Sequence, residues 1–336
     1  MEEDKWYIRV CAWAVMFALA VRLCWSSGLP GRLVQGLKSP SAVAAFMYLE
    51  TGRVAKPEPS QQTTEAPSAS PPETAAVPQK SQPAVLTSRD AEAVEVASFC
   101  DLEPDVEAMV TRELEWDLAD GEPAVLILHT HTSESYEKEG EDYRESSPYR
   151  TSDVRYNMVA IGDRVAELLE ERGIRVIHDR SLHDAASYDD AYEDARASME
   201  EYLAQYPTIR LVLDLHRDAA ERDGQQVVTT CMTGDTESAC LMFVMGSDAG
   251  GGEHPYWEQN LSLALKLQAL LERSWPGLCR PLQLSASRFN QDLWPGTLLV
   301  EVGTAGNTRA QALRAAELLA EGIVALSAGT TGSGEG

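Results

Sequence analysis

Basic side chains are scarce in this chain of 336 residues. It contains 28 Lys and Arg against 53 Asp and Glu, which gives a formal net charge of −25. Such an acidic chain has no general attraction for the phosphates of nucleic acids, so nucleic-acid binding is not expected. Hydrophobic residues nevertheless make up 44% of the chain, enough for one sizeable core plus extra segments.

Several enzyme motifs are missing from the sequence as well. The six cysteines form no Cys-x-x-Cys pair, which argues against a four-cysteine zinc site. There is no G-x-S-x-G segment, so a serine nucleophile on a strand-to-helix turn is not supported. There is also no P-loop, no G-x-G-x-x-G and no H-E-x-x-H. Any catalytic chemistry must therefore come from a less common arrangement of residues.

The N-terminal quarter of the chain is built from three kinds of sequence. Residues 1–28 contain an uncharged apolar run, 10–21, which lies between arginines and has tryptophans near both ends. This pattern predicts an uncleaved signal-anchor at 1–28, and the alternative is a cleaved signal peptide. Residues 29–53 form a membrane-proximal segment. Residues 54–95 are rich in Pro, Ser and Thr and predict a disordered linker.

From residue 96 to 327 the pattern is that of one folded domain, followed by a flexible tail at 328–336. Apolar runs predict strands at 124–128, 174–177, 209–215, 239–245 and 298–302. Helical spacing predicts helices at 157–171, 188–206, 255–275 and 309–326. This alternation predicts an α/β fold with a single mixed, mostly parallel sheet flanked by helices.

Three of the predicted strands run into side chains that bind metals or move protons. In chain order, these side chains are His129, His131 and Glu134, then His216 and Arg217, then Glu301. The carboxyl ends of parallel strands are where ligands bind in open α/β sheets. Histidines from two strand ends beside carboxylates predict a zinc site, with Glu134 or Asp153 as an oxygen ligand. The alternative is that these are loop histidines with local hydrogen bonds.

Two further groups of residues are candidates for chemistry or binding. Glu301 interrupts a buried strand and is suited to act as general base. The alternative is a salt bridge to Arg217, Arg288 or Arg309. Arg217 is predicted to pair with a substrate carboxylate or with Asp218. The polar residues Arg288, Asn290 and Gln291 are predicted to hold a peptide or a sugar, with ordinary loop hydrogen bonding as the alternative.

Five ordered blocks of the chain resemble one protein family. The blocks are FMYLETGR (46–53), LILHTHTSESY (126–136), LVLDLHRDA (211–219), RFNQDL (288–293) and LLVEVGTAGNT (298–308). They are similar to stage II sporulation protein P, a family that looks related to the zinc-dependent N-acetylmuramoyl-L-alanine amidases.

The resemblance implies both a reaction and a set of roles. The reaction is cleavage of the amide between muramic acid and the stem peptide of peptidoglycan, with peptide cross-links as a further substrate. His216 would bind Zn²⁺, with His129 preferred over His131 as the first ligand and Glu134 preferred over Asp153 as the acidic one. Glu301 would be the catalytic base.

The resemblance also implies a place of action and partners. The enzyme would act in forespore engulfment, with sporulation proteins D and M. The chain would be a single-pass protein of the cell membrane with its catalytic domain outside the cytoplasm. The competing hypothesis is a wall-binding scaffold with a degenerate metal site.

Overall fold

The computed structural model describes residues 85–114, 118 and 121–327, and these contain eleven strands and six helices. The strands are β1 Val96–Ser98, β2 Pro123–Leu128, β3 Arg175–His178, β4 Leu211–Asp218, β5 Glu221–Arg222, β6 Gln225–Gln226, β7 Thr230–Thr233, β8 Thr236–Ala239, β9 Leu241–Met245, β10 Leu282–Leu284 and β11 Thr297–Thr304. The helices are α1 Ser88–Ala91, α2 Val106–Thr111, α3 Met158–Glu171, α4 Ala191–Gln205, α5 Trp257–Ser274 and α6 Arg309–Ser327.

Seven of the strands form one sheet in the order β1-β10-β9-β11-β4-β2-β3. All neighbouring pairs run parallel except β9 and β11, which are antiparallel. The predicted α/β fold with a single, mostly parallel sheet is confirmed. The four long helices and five of the strands were predicted within a few residues of their bounds.

The two faces of the sheet are covered differently. One face packs with α3, α5 and α6 into the main apolar core, which includes Val125 and Ile127 of β2. The other face packs its alternate residues, such as Leu126 and Val212, against α4. A third small apolar cluster, formed by Met242, Val244 and Leu299, lies on β9 and β11. Because α4 covers only the β2 and β4 part of its face, β9 and β11 are left to line a cavity.

Local sequence explains where α3 begins and ends. Asn157 caps its N-terminus by accepting a hydrogen bond from the Val159 amide at 3.0 Å. Val165 and Leu169 then repeat at helical spacing and are fully buried. The helix stops just before Gly173, whose φ of 80° suits a glycine after a helix end.

Three features of the fold differ from the sequence-based expectation. The packed part begins before residue 96, because α1 lies in the range assigned to the linker and Ala91 is buried in the core. The helix predicted from residue 188 begins at Ala191. The short hairpins β5–β6 and β7–β8 were not predicted, because two to four mostly polar residues give no periodic signal.

The predicted signal-anchor, the membrane-proximal segment, the linker as far as residue 84 and the tail at 328–336 lie outside the described residues. Among the residues that are described, no helix has both the length and the apolar character needed to cross a bilayer.

Candidate active site

The candidate site lies on the sheet face that α4 shares, where β4 and β11 run side by side. His216 of β4 and Glu301 of β11 are direct neighbours in the parallel register. Both side chains line a cavity of about 480 Å³. The cavity is also lined by His131, Glu134, Tyr188, Asp189, Tyr192, Arg217, Asp218, Ala219, Val244, Phe289 and Leu299.

The long loop at 132–151 carries Glu134 into this cavity. The loop is closed by backbone hydrogen bonds from Ser135 N to Tyr149 O at 2.9 Å and from Thr151 N to Ser133 O at 2.8 Å. Glu134 is 4% exposed and lies beside the ring of His216, with 3.6 Å between Glu134 Oε2 and His216 Nδ1. The loop therefore brings a carboxylate to the edge where two strands end.

A carboxylate on the same strand lies beside the ring of His216. His216 Nε2 lies 2.9 Å from Asp214 Oδ1. Asp214 is itself fixed by the backbone amide and hydroxyl of Thr130, at 2.8 and 2.6 Å. Burial alone would lower the pKa of His216, but the carboxylates of Asp214 and Glu134 raise it well above its ordinary value. The ring of His216 therefore lies between the carboxylates of Asp214 and Glu134.

Arg217 holds Glu134 in place. The Arg217 side chain is buried, and it donates from Nε to Ser135 O and from Nη2 to Tyr149 O, each at 3.0 Å. Its Nη1 lies 3.5 Å from Glu134 Oε1. Burial raises the pKa of Glu134, but His216 and Arg217 outweigh it and lower that pKa below its ordinary value. Arg217 therefore positions the loop and keeps Glu134 ionised. Its predicted alternative partner, Asp218, is paired with Arg280 at 2.6 Å.

Glu301 lies in the cavity without a cationic partner of its own among the described residues. Its Oε2 is buried and has no hydrogen-bond partner there. Two of the arginines that were candidates for a salt bridge pair elsewhere, Arg288 with Asp292 and Arg309 with Glu139. Burial raises the pKa of Glu301 to about 8. A carboxyl group that titrates near neutral pH is suited to both accepting and donating a proton.

The structure separates the two histidines between which the sequence left the first ligand open. His129 continues the alternation of Val125 and Ile127, so it lies on the α3 face of the sheet. There its Nδ1 is 3.1 Å from Leu215 O and its Nε2 is 2.8 Å from His178 Nε2. The regular strand ends at Leu128, so His131 is free of that alternation and lies in the cavity. The structure therefore brings His131, and not His129, to Glu134 and His216.

The other predicted site residues do not line the cavity; these are Asp153, Arg288, Asn290 and Gln291. Asp153 accepts from Arg155 at 2.6 Å and does not line the cavity. Asn290 and Gln291 hydrogen-bond to backbone groups of α4 and β9. Arg288 is half-exposed and lies 3.7 Å from Asp292. The predicted roles of Asp153 and of these three residues in ligand binding stay predictions.

Three aromatic residues of the cavity were not predicted from the sequence. Tyr188 stacks on the ring of His131 with 4.0 Å between centroids, and Tyr192 meets the same ring edge-on at 5.6 Å. Phe289 lies 6.2 Å from Tyr192. Single aromatic residues in polar segments carry no periodic signal. Phe289 does belong to RFNQDL, one of the five blocks that resemble the family.

The donor chemistry of the cavity fits a zinc ion. His131, Glu134 and His216 offer two imidazoles and a carboxylate, a set that catalytic zinc sites use. His131 Nδ1 is buried with no hydrogen-bond partner among the described residues. In that part of the chain no group of three or more His, Cys, Asp or Glu is already spaced to hold a metal. Metal binding would therefore require Glu134 and His216 to exchange their mutual contact for the ion, with release of a proton from His216.

The sheet and the cavity lined by histidines and carboxylates define the chain as an α/β protein with a candidate site at the strand ends. The sequence model of the stage II sporulation protein P family matches residues 38–324. The chain belongs to that family, and the resemblance noted from the five sequence blocks is confirmed. The stage II sporulation protein P of Bacillus subtilis (strain 168) is 27% identical over 210 residues. That match covers 59% of this chain and 49% of the relative, so the chain spans about half of that protein's length.

Two solved structures with a similar architecture are amidases. The N-acetylmuramoyl-L-alanine amidase AmiC2 of Nostoc punctiforme is 14% identical, with a TM-score of 0.38 over 61% of this chain and 97% of that one. The amidase Ami1 of Mycobacterium smegmatis gives the same identity and TM-score over 63% of this chain and 98% of that one. At these scores the likeness carries no argument about the site.

Proposed function

We propose that this chain is a zinc-dependent peptidoglycan hydrolase that cleaves the amide between muramic acid and the stem peptide. The observation that carries the proposal is the convergence of His131, Glu134, His216 and Glu301 on one cavity. Membership of the stage II sporulation protein P family supports a role in sporulation. In this proposal His131, Glu134 and His216 hold the metal and Glu301 moves the proton.

Each residue contributes a distinct part of the reaction. When bound, zinc supplies a positive charge that polarises the amide carbonyl and favours ionisation of water. Glu301 accepts a proton from the attacking water and then delivers it to the leaving nitrogen. Asp214 keeps the His216 ring turned toward the cavity, and Arg217 does the same for the Glu134 carboxylate.

The proposal also covers the location of the chain, its partners and a second activity. A membrane-anchored chain with its folded domain outside the cytoplasm would reach the wall across the segment at 54–84, which is rich in Pro and Ser. Sporulation proteins D and M are the proposed partners. Cleavage of peptide cross-links is a second proposed activity of the same cavity.

Mass spectrometry of peptidoglycan digested by the full chain tests the reaction. We expect free stem peptides and peptide-free glycan when zinc is present, none of either in a chelator, and recovery when zinc is returned. Glu301→Gln keeps the side-chain shape and is expected to abolish both products. Glu103→Gln changes an exposed glutamate outside the cavity and is the matched control.

Two other outcomes of this digestion would point to a different function. Opened cross-links with intact muramyl amides would replace the amidase by a zinc peptidase. A chain that binds peptidoglycan but releases nothing, with zinc and the proposed partner proteins supplied, would contradict the catalytic proposal and favour a wall-binding scaffold.

A further inference from the structure

The turn that precedes β11 uses its polar side chains to hold itself in place. Asn290 Nδ2 donates to Tyr192 O at 2.8 Å, which ties the turn to α4. Gln291 is fully buried, donates from Nε2 to Val244 O at 2.9 Å and accepts from Gly246 N at 2.8 Å. These amide groups therefore tie the turn to α4, to β9 and to the residue that follows β9.

The same contacts hold two non-glycine residues in an unusual backbone conformation. Phe289 has a φ of 52° and Asn290 a φ of 56°, a region that side chains with a Cβ rarely occupy. The approach of the neighbouring loop is close, since a Cβ on Gly246 would lie 2.9 Å from Arg288 O. Strained residues of this kind persist where the surroundings fix them, and they cluster at ligand sites. Here the turn in this backbone conformation places the Phe289 ring against the apolar cluster of β9 and β11, where it lines the cavity.

Phe289 is the end of a row of rings that starts at the proposed metal ligand. We call Tyr188, Tyr192 and Phe289 the aromatic wall. Tyr188 covers one face of the His131 ring, Tyr192 meets its edge, and Phe289 follows at 6.2 Å from Tyr192. Arg150 stacks on Tyr188 at 4.0 Å, which steadies that ring although Tyr188 is 45% exposed. The wall therefore stands directly beside the atoms proposed to react.

We propose that the aromatic wall is a sugar-binding subsite in which Tyr192 and Phe289 pack against the C–H face of the muramyl ring. The inference rests on the proposed function. A pyranose offers an apolar face and polar edges, the combination that an aromatic wall beside polar groups accommodates. Asp189 lines the same cavity beside the aromatic wall, and its carboxylate can accept hydrogen bonds from the hydroxyls at the edge of a sugar ring.

Equilibrium dialysis against two separate ligands tests this inference without requiring hydrolysis. The ligands are peptide-free oligomers of alternating N-acetylglucosamine and N-acetylmuramic acid, with each lactyl carboxylate capped as a methylamide so that the glycan is uncharged, and the free stem peptide. We expect Phe289→Ala in the full chain to weaken glycan binding about tenfold and to leave stem-peptide binding unchanged. Phe289→Tyr keeps a flat ring and should bind glycan like the parent chain.

Two controls keep the result interpretable. Phe99→Ala removes a phenylalanine that is 68% exposed and does not line the cavity, so it should bind like the parent. Phe289→Leu keeps an apolar side chain without a flat ring, and it replaces Phe289→Ala if that variant does not fold. Loss of stem-peptide binding in place of glycan binding, or no glycan binding by the parent chain, would overturn the sugar subsite. The hydrolysis products are measured separately, so they would still report on the proposed reaction.

Discussion

Replacing Arg217 by alanine tests how the candidate site is held together. The Arg217 side chain makes two hydrogen bonds to backbone carbonyls of the loop at 132–151 and lies 3.5 Å from the buried carboxylate of Glu134. Removing one partner of a buried ion pair typically costs about 3–5 kcal/mol. His216 remains beside Glu134 in this variant, so the lower end of that range applies. We therefore expect Arg217→Ala to lower the free energy of unfolding by about that amount.

Urea unfolding of the parent chain and its variants measures this effect, provided that the slope with urea is unchanged. Arg217→Lys keeps a positive charge but loses the forked geometry, so its loss should be intermediate. Arg155→Ala is the control, because its ion pairs with Asp142 and Asp153 are solvent-exposed and should contribute little. If Arg217→Ala destabilises the chain no more than Arg155→Ala does, Arg217 does not hold the loop at 132–151 and Glu134 in place.

Three further predictions follow from contacts near the site. Gly162→Ala should lower the free energy of unfolding by about 1–3 kcal/mol in urea, because the new Cβ would lie 2.7 Å from His129 Nε2. In a chelator, the raised pKa of Glu301, about 8, means that the folded chain keeps a proton that the unfolded chain loses near pH 4.3. Stability should therefore fall as pH rises between those values, by up to about 1.4 kcal/mol per pH unit, and Glu301→Gln should remove this slope in urea titrations at several pH values. Asp214→Asn should weaken zinc binding about 10–100-fold in a competition titration, since it no longer orients His216; an unchanged affinity would exclude that role.

Much of the fold could be predicted because its signals are local and periodic. The buried strands are continuous apolar runs, and α3 combines helical spacing with an N-cap at Asn157 and a glycine beyond its end. The antiparallel pairing of β9 with β11 is different, because it depends on which strands become neighbours across the chain. No property of either segment alone specifies that pairing.

The same contrast applies to the residues of the candidate site. His216 and Glu301 lie on neighbouring strands, so their registers place them side by side, as their positions at predicted strand ends suggest. The choice between His129 and His131 depends on where β2 ends, because one residue more or less of regular strand changes the face to which a side chain points. The end of β2 at Leu128 leaves His129 on the α3 face. The ends of a strand are its least predictable part, so the sequence alone does not tell on which face of the sheet each of these two histidines lies.

The polar residues of the block RFNQDL show a further limit. Asn290 and Gln291 were predicted as ligand-binding groups because they are polar and lie before a strand. In the structure they fix the turn, and the residue that reaches the cavity is Phe289. Whether an amide faces a ligand or the protein backbone depends on tertiary contacts, which composition does not encode.

The zinc anomalous signal in diffraction from crystals of the full chain grown with zinc would locate the metal. We expect one strong peak in the cavity, at ligand distances of about 2.0–2.2 Å from His131, Glu134 and His216. A peak between His129 and His178 on the opposite face of the sheet, or no peak in crystals that contain the folded chain and zinc, would contradict this expectation.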